Sequence, residues 1–125
     1  MIQLSAMYVK GKAKPQVVLY GDIKMIKIWI DDIRTPPSEE WVWIKSVNSA
    51  KRYISMVSPY GVADIMLSVD HDAGDYASDG GDYIKLLDWL EETGRNYPIR
   101  IHSQNVVGRM NMEAICRRNG WSILP

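Results

Sequence analysis

Residues 26–32 read IKIWIDD, and this stretch decides the fold. The IKIWI run alternates and is rich in β-branched isoleucine, which is typical of a strand. It ends abruptly in two adjacent carboxylates. Residues 63–69 form the most apolar segment of the chain and run directly into DHD at 70–72. The sequence therefore predicts two buried strands whose carboxyl ends carry acidic residues.

A regular pattern of strands and helices runs from Met25 onward. Strand patterns at 26–30, 41–45, 63–69 and 98–102 are combined with helical patterns at 46–57, 83–94 and 108–119, and a polar, glycine-rich loop covers 73–81. This order is typical of an open α/β fold, in which crossover helices connect the strands of a parallel sheet. We expect a short sheet of about four strands, with ligands bound at their carboxyl ends.

Residues 1–24 follow a different pattern. Two short apolar stretches flank the basic run KGKAKP at 10–15. Two interpretations stay open: a hairpin packed against a sheet edge, or an N-terminal extension that precedes a natural start at Met25. The predicted units are therefore 1–24, an extension or hairpin, and 25–125, the α/β domain.

The composition excludes several classes of protein. Fifteen Lys and Arg residues balance fifteen Asp and Glu residues, whereas a protein that coats DNA needs a cationic surplus to displace counterions. The single cysteine, Cys116, excludes an intramolecular disulfide and a multi-cysteine zinc site. No apolar run approaches the ~20 residues that span a bilayer, and the N-terminus lacks a signal-peptide pattern. We expect a cytoplasmic protein with no membrane partner, and the sequence leaves its oligomeric state open.

Four carboxylates follow two strands that we expect to be neighbours: Asp31, Asp32, Asp70 and Asp72. Held together, they repel one another unless a cation or a proton neutralises the cluster. A single aspartate at a strand end usually begins a turn or caps a helix. Two such groups in one small sheet favour a metal site, and oxygen-rich sites suit Mg²⁺ or Mn²⁺.

Both histidines of the chain lie at the same predicted edge, since His71 follows the third strand and His102 ends the fourth. One histidine alone is more often structural than catalytic. Two beside a group of acids indicate proton transfer, for which imidazole is well suited near neutral pH.

The start of the last predicted helix has the residues of an anion site. Ser103 and Asn105 precede it, Gly108 permits close backbone approach, and Arg109 offers a bidentate guanidinium for phosphate. Arg34 follows the first acidic pair closely enough to bind an aspartate or a substrate. An ordinary capped helix with Arg109 in an ion pair is the alternative. Opposite a metal site, these residues favour a pocket for a phosphate ester.

Three motifs together resemble the cyclic-phosphate processing receiver domain family. They are IDDIRTPP at 30–37, SVDHDAG at 68–74 and IHSQNVVGR at 101–109. The family is a divergent branch of the response-regulator receiver fold, and the resemblance covers about 25–121. It implies a three-layer, receiver-like (flavodoxin-like) α/β domain. Ala73 and Val106 depart from the family pattern, which commonly has Leu and Pro there, and neither position touches the expected chemistry.

The resemblance also implies roles for individual residues. Asp31 and Asp32 correspond to the acids of the receiver Mg²⁺ pocket, Asp70 to the phospho-accepting aspartate and Ser103 to the hydroxyl residue of the fourth strand. The activity it implies is the processing of a cyclic phosphate, at an RNA end or in a cyclic nucleotide.

We therefore expect a metal-dependent phosphoesterase that hydrolyses a 2′,3′-cyclic phosphate at an RNA end or a cyclic nucleotide. Asp70, His71 and His102 are its candidate catalytic residues. A phospho-accepting receiver is the main alternative, but a receiver needs a lysine at the end of a fifth strand, and we find none here. A non-catalytic module that binds phosphate or RNA ends is a further alternative. A haloacid-dehalogenase-type phosphatase fits less well, because its Asp-x-Asp motif typically follows the first strand.

Overall fold

A computed structural model describes residues 25–59 and 64–125; the predicted extension or hairpin at 1–24 lies outside them. The strands are β1 (Ile26–Ile30), β2 (Trp41–Ile44), β3 (Ile65–Val69) and β4 (Ile99–Ile101). The helices are α1 (Val47–Val57), α2 (Ile84–Glu92) and α3 (Val106–Arg118), and Gly74–Ser78 forms a 3₁₀ turn. All strand pairs are parallel, in the order β2-β1-β3-β4. The predicted α/β class with a four-stranded parallel sheet is confirmed.

Two features at the end of the chain differ from the prediction. Helix α3 begins at Val106, before the predicted start at 108, because Asn105 caps it by accepting a hydrogen bond from the Gly108 amide at 2.9 Å. The segment after α3 also extends the sheet. Ile99 donates its amide to Ser122 and accepts the amide of Leu124, so this segment pairs with β4 through a parallel bridge.

The main core lies on one face of the sheet. Every second strand residue points to this face. Ile28, Leu67 and Ile99 are fully buried there. They pack with helix residues such as Ala50 and Leu87. The three helices all connect strands in the same direction across the sheet. α1 connects β2 to β3 and so crosses over β1, α2 connects β3 to β4, and α3 connects β4 to the last segment. Right-handed crossovers therefore place all three described helices on this face.

The opposite face carries tryptophans and the loop between β1 and β2. The Trp29 indole is 4% exposed, meets Trp41 edge-on at 5.6 Å, and donates its Nε1–H to the Arg34 carbonyl at 2.7 Å. Lys27 lies 3.2 Å from Glu40. In the described part of the chain, loop residues rather than a helix thus form the outer layer on this side.

The strand register brings the predicted site residues to one edge. Ile30 pairs with Val69, and Val69 pairs with Ile101. The next residues along, Asp31 and Asp70, therefore lie at one level, and His102 follows β4 at the same level. None of the helices in the described residues has the length and hydrophobicity needed to cross a membrane.

Candidate functional site

Three of the four predicted acids converge at the carboxyl edge of the sheet. Asp31, Asp32 and Asp70 each offer a carboxylate oxygen, and these oxygens lie within 4.8 Å of one another. Carboxylate oxygens are the hard donors that Mg²⁺ and Mn²⁺ prefer. The fourth acid, Asp72, lies outside this group. We refer to Asp31, Asp32 and Asp70 as the acidic cluster.

Asp31 is the buried member of the acidic cluster, with 2% of its surface exposed. Its Oδ1 accepts hydrogen bonds from the amides of Ile33 (3.0 Å) and Arg34 (2.9 Å), and its Oδ2 lies 2.8 Å from Nε2 of His102. Burial by itself raises the pKa of Asp31, but these hydrogen bonds outweigh it and lower the pKa below its usual value. The cluster therefore contains one carboxylate that is held in place and ionised.

Asp32 is the member whose charge is most disfavoured. Burial raises the pKa of Asp32, and the neighbouring charges of Asp31 and Asp70 raise it further. A bound cation would relieve this repulsion, so the donor set fits a divalent metal. Asp32 also occupies space that only glycine leaves open: a Cβ on Gly74, whose φ is +57°, would clash with Asp32 Oδ2.

Both histidines are predicted proton-transfer residues. Of the two, His102 is enclosed within the protein. Its side chain is 4% exposed and its ring stacks on Trp29 at 4.0 Å, with 6° between the planes. Nδ1 lies 2.9 Å from Ser68 Oγ, while Nε2 faces Asp31. Burial lowers the pKa of His102 and favours the neutral ring. The tautomer that satisfies both contacts donates from Nε2 to Asp31 and accepts the Ser68 hydroxyl proton at Nδ1.

Trp29 and Ser68 were not predicted as site residues. They are direct partners on β1 and β3, and by strand alternation they share a face with Asp31 and Asp70. The sequence contained one signal for this, a serine in the middle of the apolar IMLSV strand. A fully buried hydroxyl needs a polar partner, and here that partner is His102.

His71 belongs to a second, more accessible pair. Its side chain is 16% exposed, and its Nδ1 lies 2.8 Å from Asp72 Oδ1. The hydrogen bond with His71 lowers the pKa of Asp72, and Asn105, whose Nδ2 lies 3.4 Å from Asp72 Oδ2, adds to this effect. The imidazole lies directly against Gly108, where a Cβ would approach its Cγ and Cδ2 to 2.5 Å. Asp72 therefore orients a histidine in this structure.

The predicted anion-binding residues are dispersed. Arg34 donates from Nη1 to the His102 carbonyl at 3.1 Å and so lies at the edge that carries the acidic cluster. Arg109 is exposed, and its Nε lies 3.9 Å from Glu113 on the same helix. Ser103 is buried, and its Oγ accepts the amide of Asn105 at 3.0 Å. Of these side chains, Arg34 is the cation that contacts a residue of the acidic edge.

One group beside the acidic cluster was missed by the sequence reasoning. Lys45 directly follows β2, and its Nζ lies 4.5 Å from the ring centre of Trp43 and 5.8 Å from that of Tyr76. Trp43 in turn donates its Nε1–H to the Asp31 carbonyl at 2.8 Å. Its position in the sequence could have indicated this, because Lys45 directly follows β2 just as the acids follow β1 and β3.

A comparison with protein-family models identifies the family of the chain. The family model for the cyclic-phosphate processing receiver domain matches residues 26–118, which include all four strands and all three helices described above. Neither the search of curated proteins nor the search of solved structures found a match. The match spans well over half of the chain and contains the acidic cluster and both histidines. The chain belongs to the cyclic-phosphate processing receiver domain family.

Proposed function

We propose that this protein is a metal-dependent phosphoesterase that opens a 2′,3′-cyclic phosphate, at an RNA end or in a nucleotide. The observation that carries the proposal is the convergence of Asp31, Asp32 and Asp70 within 4.8 Å at the edge where parallel sheets bind ligands. These residues would hold Mg²⁺ or Mn²⁺. When bound, such an ion supplies a Lewis acid that stabilises negative charge on phosphoryl oxygens.

The two histidines have different parts in this proposal. His102 is a positioning residue, because its ring is enclosed and both of its nitrogens have partners. His71 is the proton-transfer group, because its ring reaches solvent and Asp72 orients it through Nδ1. A water oxygen forms the new bond to phosphorus as one ring P–O bond breaks. His71 takes the proton of that water and returns a proton to the leaving alkoxide.

The remaining predicted residues support the substrate or its surroundings. Arg34 is the nearer candidate for a substrate phosphate, since it already contacts the His102 carbonyl. Asn105 holds Asp72 and caps α3 at Gly108, so it would act on substrate through His71. Arg109 would have to leave Glu113 to reach a ligand.

A phospho-accepting receiver is the second candidate function. It is favoured by the place of Asp70, which follows β3 beside Asp31 and Asp32 and is partly accessible to solvent. In that function Asp70 would be the nucleophile that receives a phosphoryl group, and no cyclic phosphate would be turned over.

The test is incubation of the purified protein with a nucleoside 2′,3′-cyclic phosphate and Mg²⁺ or Mn²⁺, with ring opening followed by ³¹P NMR. We expect Asp70→Asn and His71→Ala to lower kcat by about a hundredfold or more. Asp75→Asn, an exposed acid on the nearby 3₁₀ turn, is the matched control and should act like the wild type. Absence of turnover with either metal, together with stoichiometric labelling of Asp70 by acetyl phosphate, would establish the receiver instead. Binding of the cyclic phosphate without turnover would favour an inert module.

A further inference from the structure

Lys45, Trp43 and Tyr76 form a second group at the edge of the sheet, which we call the lysine–aromatic cluster. The Lys45 ammonium lies 4.5 Å from the Trp43 ring centre and 5.8 Å from that of Tyr76. Both distances are within the range in which the ring quadrupole attracts a cation. Trp43, the nearer ring, therefore holds the ammonium group in place.

Lys45 forms no ion pair with a carboxylate among the described residues. Within residues 25–59 and 64–125, the ion pairs of the protein use other cations: Lys27 pairs with Glu40, Arg109 and Arg117 with Glu113, and Arg118 with Glu91. A positioned cation that has no ion-pair partner in the described part of the chain is available to an anion from solution. Tyr76 has the exposure that a ligand contact requires, with 40% of its surface accessible.

The lysine–aromatic cluster adjoins the acidic cluster at two places, the end of β2 and the 3₁₀ turn after β3. Ile44 pairs with Ile30, so Lys45 and Asp31 follow neighbouring strands at the same level. Trp43 is bonded to the Asp31 carbonyl at 2.8 Å. On the other segment, Tyr76 lies two residues after Gly74, the glycine that faces Asp32. A ligand held at the acidic cluster would therefore lie next to Lys45 and Tyr76.

We propose that the lysine–aromatic cluster binds the nucleotide part of the substrate: Lys45 binds a phosphate oxygen and Tyr76 stacks on the base. This inference rests on the proposed function and assigns the side chains that bind the phosphate and the base of that substrate. Aromatic side chains stack on every base because each base has a π-face. A lysine is a compact point charge that suits a phosphate oxygen. Lys45 would thus supply the positive charge for the phosphate that the sequence predicted at Arg109.

The experiment compares ring opening of uridine 2′,3′-cyclic phosphate with that of ribose 2′,3′-cyclic phosphate, which lacks a base. Lys45→Met should lower kcat/KM about tenfold or more for both substrates, and Lys45→Arg should restore much of the loss. Tyr76→Leu should lower kcat/KM about tenfold for the uridine compound and leave the ribose compound unchanged. The control, Lys85→Met, alters an exposed lysine on α2 and should match the wild type.

The result that overturns the inference is wild-type kcat/KM in Lys45→Met, or an equal loss for both substrates in Tyr76→Leu. If the wild type opens neither compound, the proposed function fails and the cluster is tested by binding alone. Uridine 3′-monophosphate is then titrated while tryptophan fluorescence is followed, since Trp43 lies beneath Lys45. Weaker binding by tenfold in Lys45→Met and in Tyr76→Leu would still support the lysine–aromatic cluster. Unchanged binding in both variants would refute it.

Discussion

His102 Nε2 and Asp31 Oδ2 lie 2.8 Å apart, and their side chains are only 4% and 2% exposed. The contact joins the ends of β1 and β4, which are separated in the sheet by β3. It also passes over Ser68, the β3 residue that bonds the other ring nitrogen of His102. A buried hydrogen-bonded pair of this kind fixes the acidic cluster to the sheet.

Replacing His102 should therefore weaken both the fold and metal binding. We expect His102→Ala to lower the free energy of unfolding by about 2 to 3 kcal/mol, because Asp31 keeps its two amide donors but loses a partner for its buried charge. His102→Gln, which retains a side-chain N–H donor, should lose less. Urea denaturation measures the stabilities, and calorimetry measures Mn²⁺ affinity. A His102→Ala protein with the stability and Mn²⁺ affinity of the wild type would contradict this account.

Gly74→Ala should weaken divalent metal binding by about tenfold, because its new Cβ would displace the Asp32 carboxylate. Gly94→Ala is a matched control: its φ of +69° imposes similar backbone strain, but a Cβ there meets no atom within 4 Å. Both variants should lose about 1 to 2 kcal/mol of stability from the left-handed conformation. Isothermal titration calorimetry measures the Mn²⁺ affinity of both variants, and only Gly74→Ala should bind the metal more weakly. Equal affinities in the two variants would show that Asp32 does not need the space above Gly74.

Gly108→Ala should lower turnover about tenfold or more while leaving metal affinity intact. The new Cβ would lie 2.5 Å from Cγ and Cδ2 of His71, so the ring must shift, and small displacements of a catalytic group are costly in rate. Helix propensity by itself favours alanine over glycine by about 1 kcal/mol. A general loss of stability is therefore not the expected cause. Asn111→Ala, at an exposed position of α3, is the control. Turnover in Gly108→Ala equal to that of the control would exclude His71 from proton transfer.

The stability of the protein should decrease in acid partly through Glu91. Hydrogen bonds from Arg118 and Asn119 lower the pKa of Glu91 from its ordinary 4.5 to about 2. Between these values the unfolded state binds more protons than the folded state, so the free energy of unfolding rises with pH across this range. The contribution of Glu91 is complete above about pH 4.5 and is lost as the pH falls towards 2.

Glu91→Gln should accordingly lower the thermal midpoint at pH 7 and flatten its dependence on pH in the acid range. Arg118 donates two bonds to Glu91, at 2.7 and 2.8 Å, and a neutral amide replaces the charge they meet. Glu92→Gln, the exposed neighbour, serves as the control. Thermal melts between pH 2 and 7 make the comparison. Identical acid profiles for Glu91→Gln and the wild type would show that the pair is not stabilising.

Local patterns predicted the elements well, because alternation and helical periodicity depend on neighbouring residues. The starts of α1 and α3 differ from the predicted ones by one or two residues, and there Ser46 and Asn105 cap the helices. Asn105, a predicted substrate-binding residue, also caps α3, so the helix begins two residues earlier than predicted. The added pairing of Ile123 with Ile99 escaped prediction because a single bridge has no periodic signature.

The separate environments of the two histidines could not be predicted. Their neighbours differ, with Asp70 and Asp72 beside His71, but these neighbours do not show which of the two rings is buried. His102 is buried because Trp29 and Ser68, from two other strands, meet its ring. His71 packs against Gly108 at the first turn of α3, and 16% of its side chain stays exposed. These contacts join positions that are far apart in the chain.

The sequence by itself determined that acidic residues would meet, because Asp31, Asp32 and Asp70 follow strands of a parallel sheet and the carboxyl ends of such strands share one edge. The tertiary structure decided which partner each of them has. It buried His102 against Asp31 and placed Lys45 beside the cluster. The physical reason is that strand register and side-chain packing between distant segments set burial and hydrogen bonding, and no local pattern of residues encodes them.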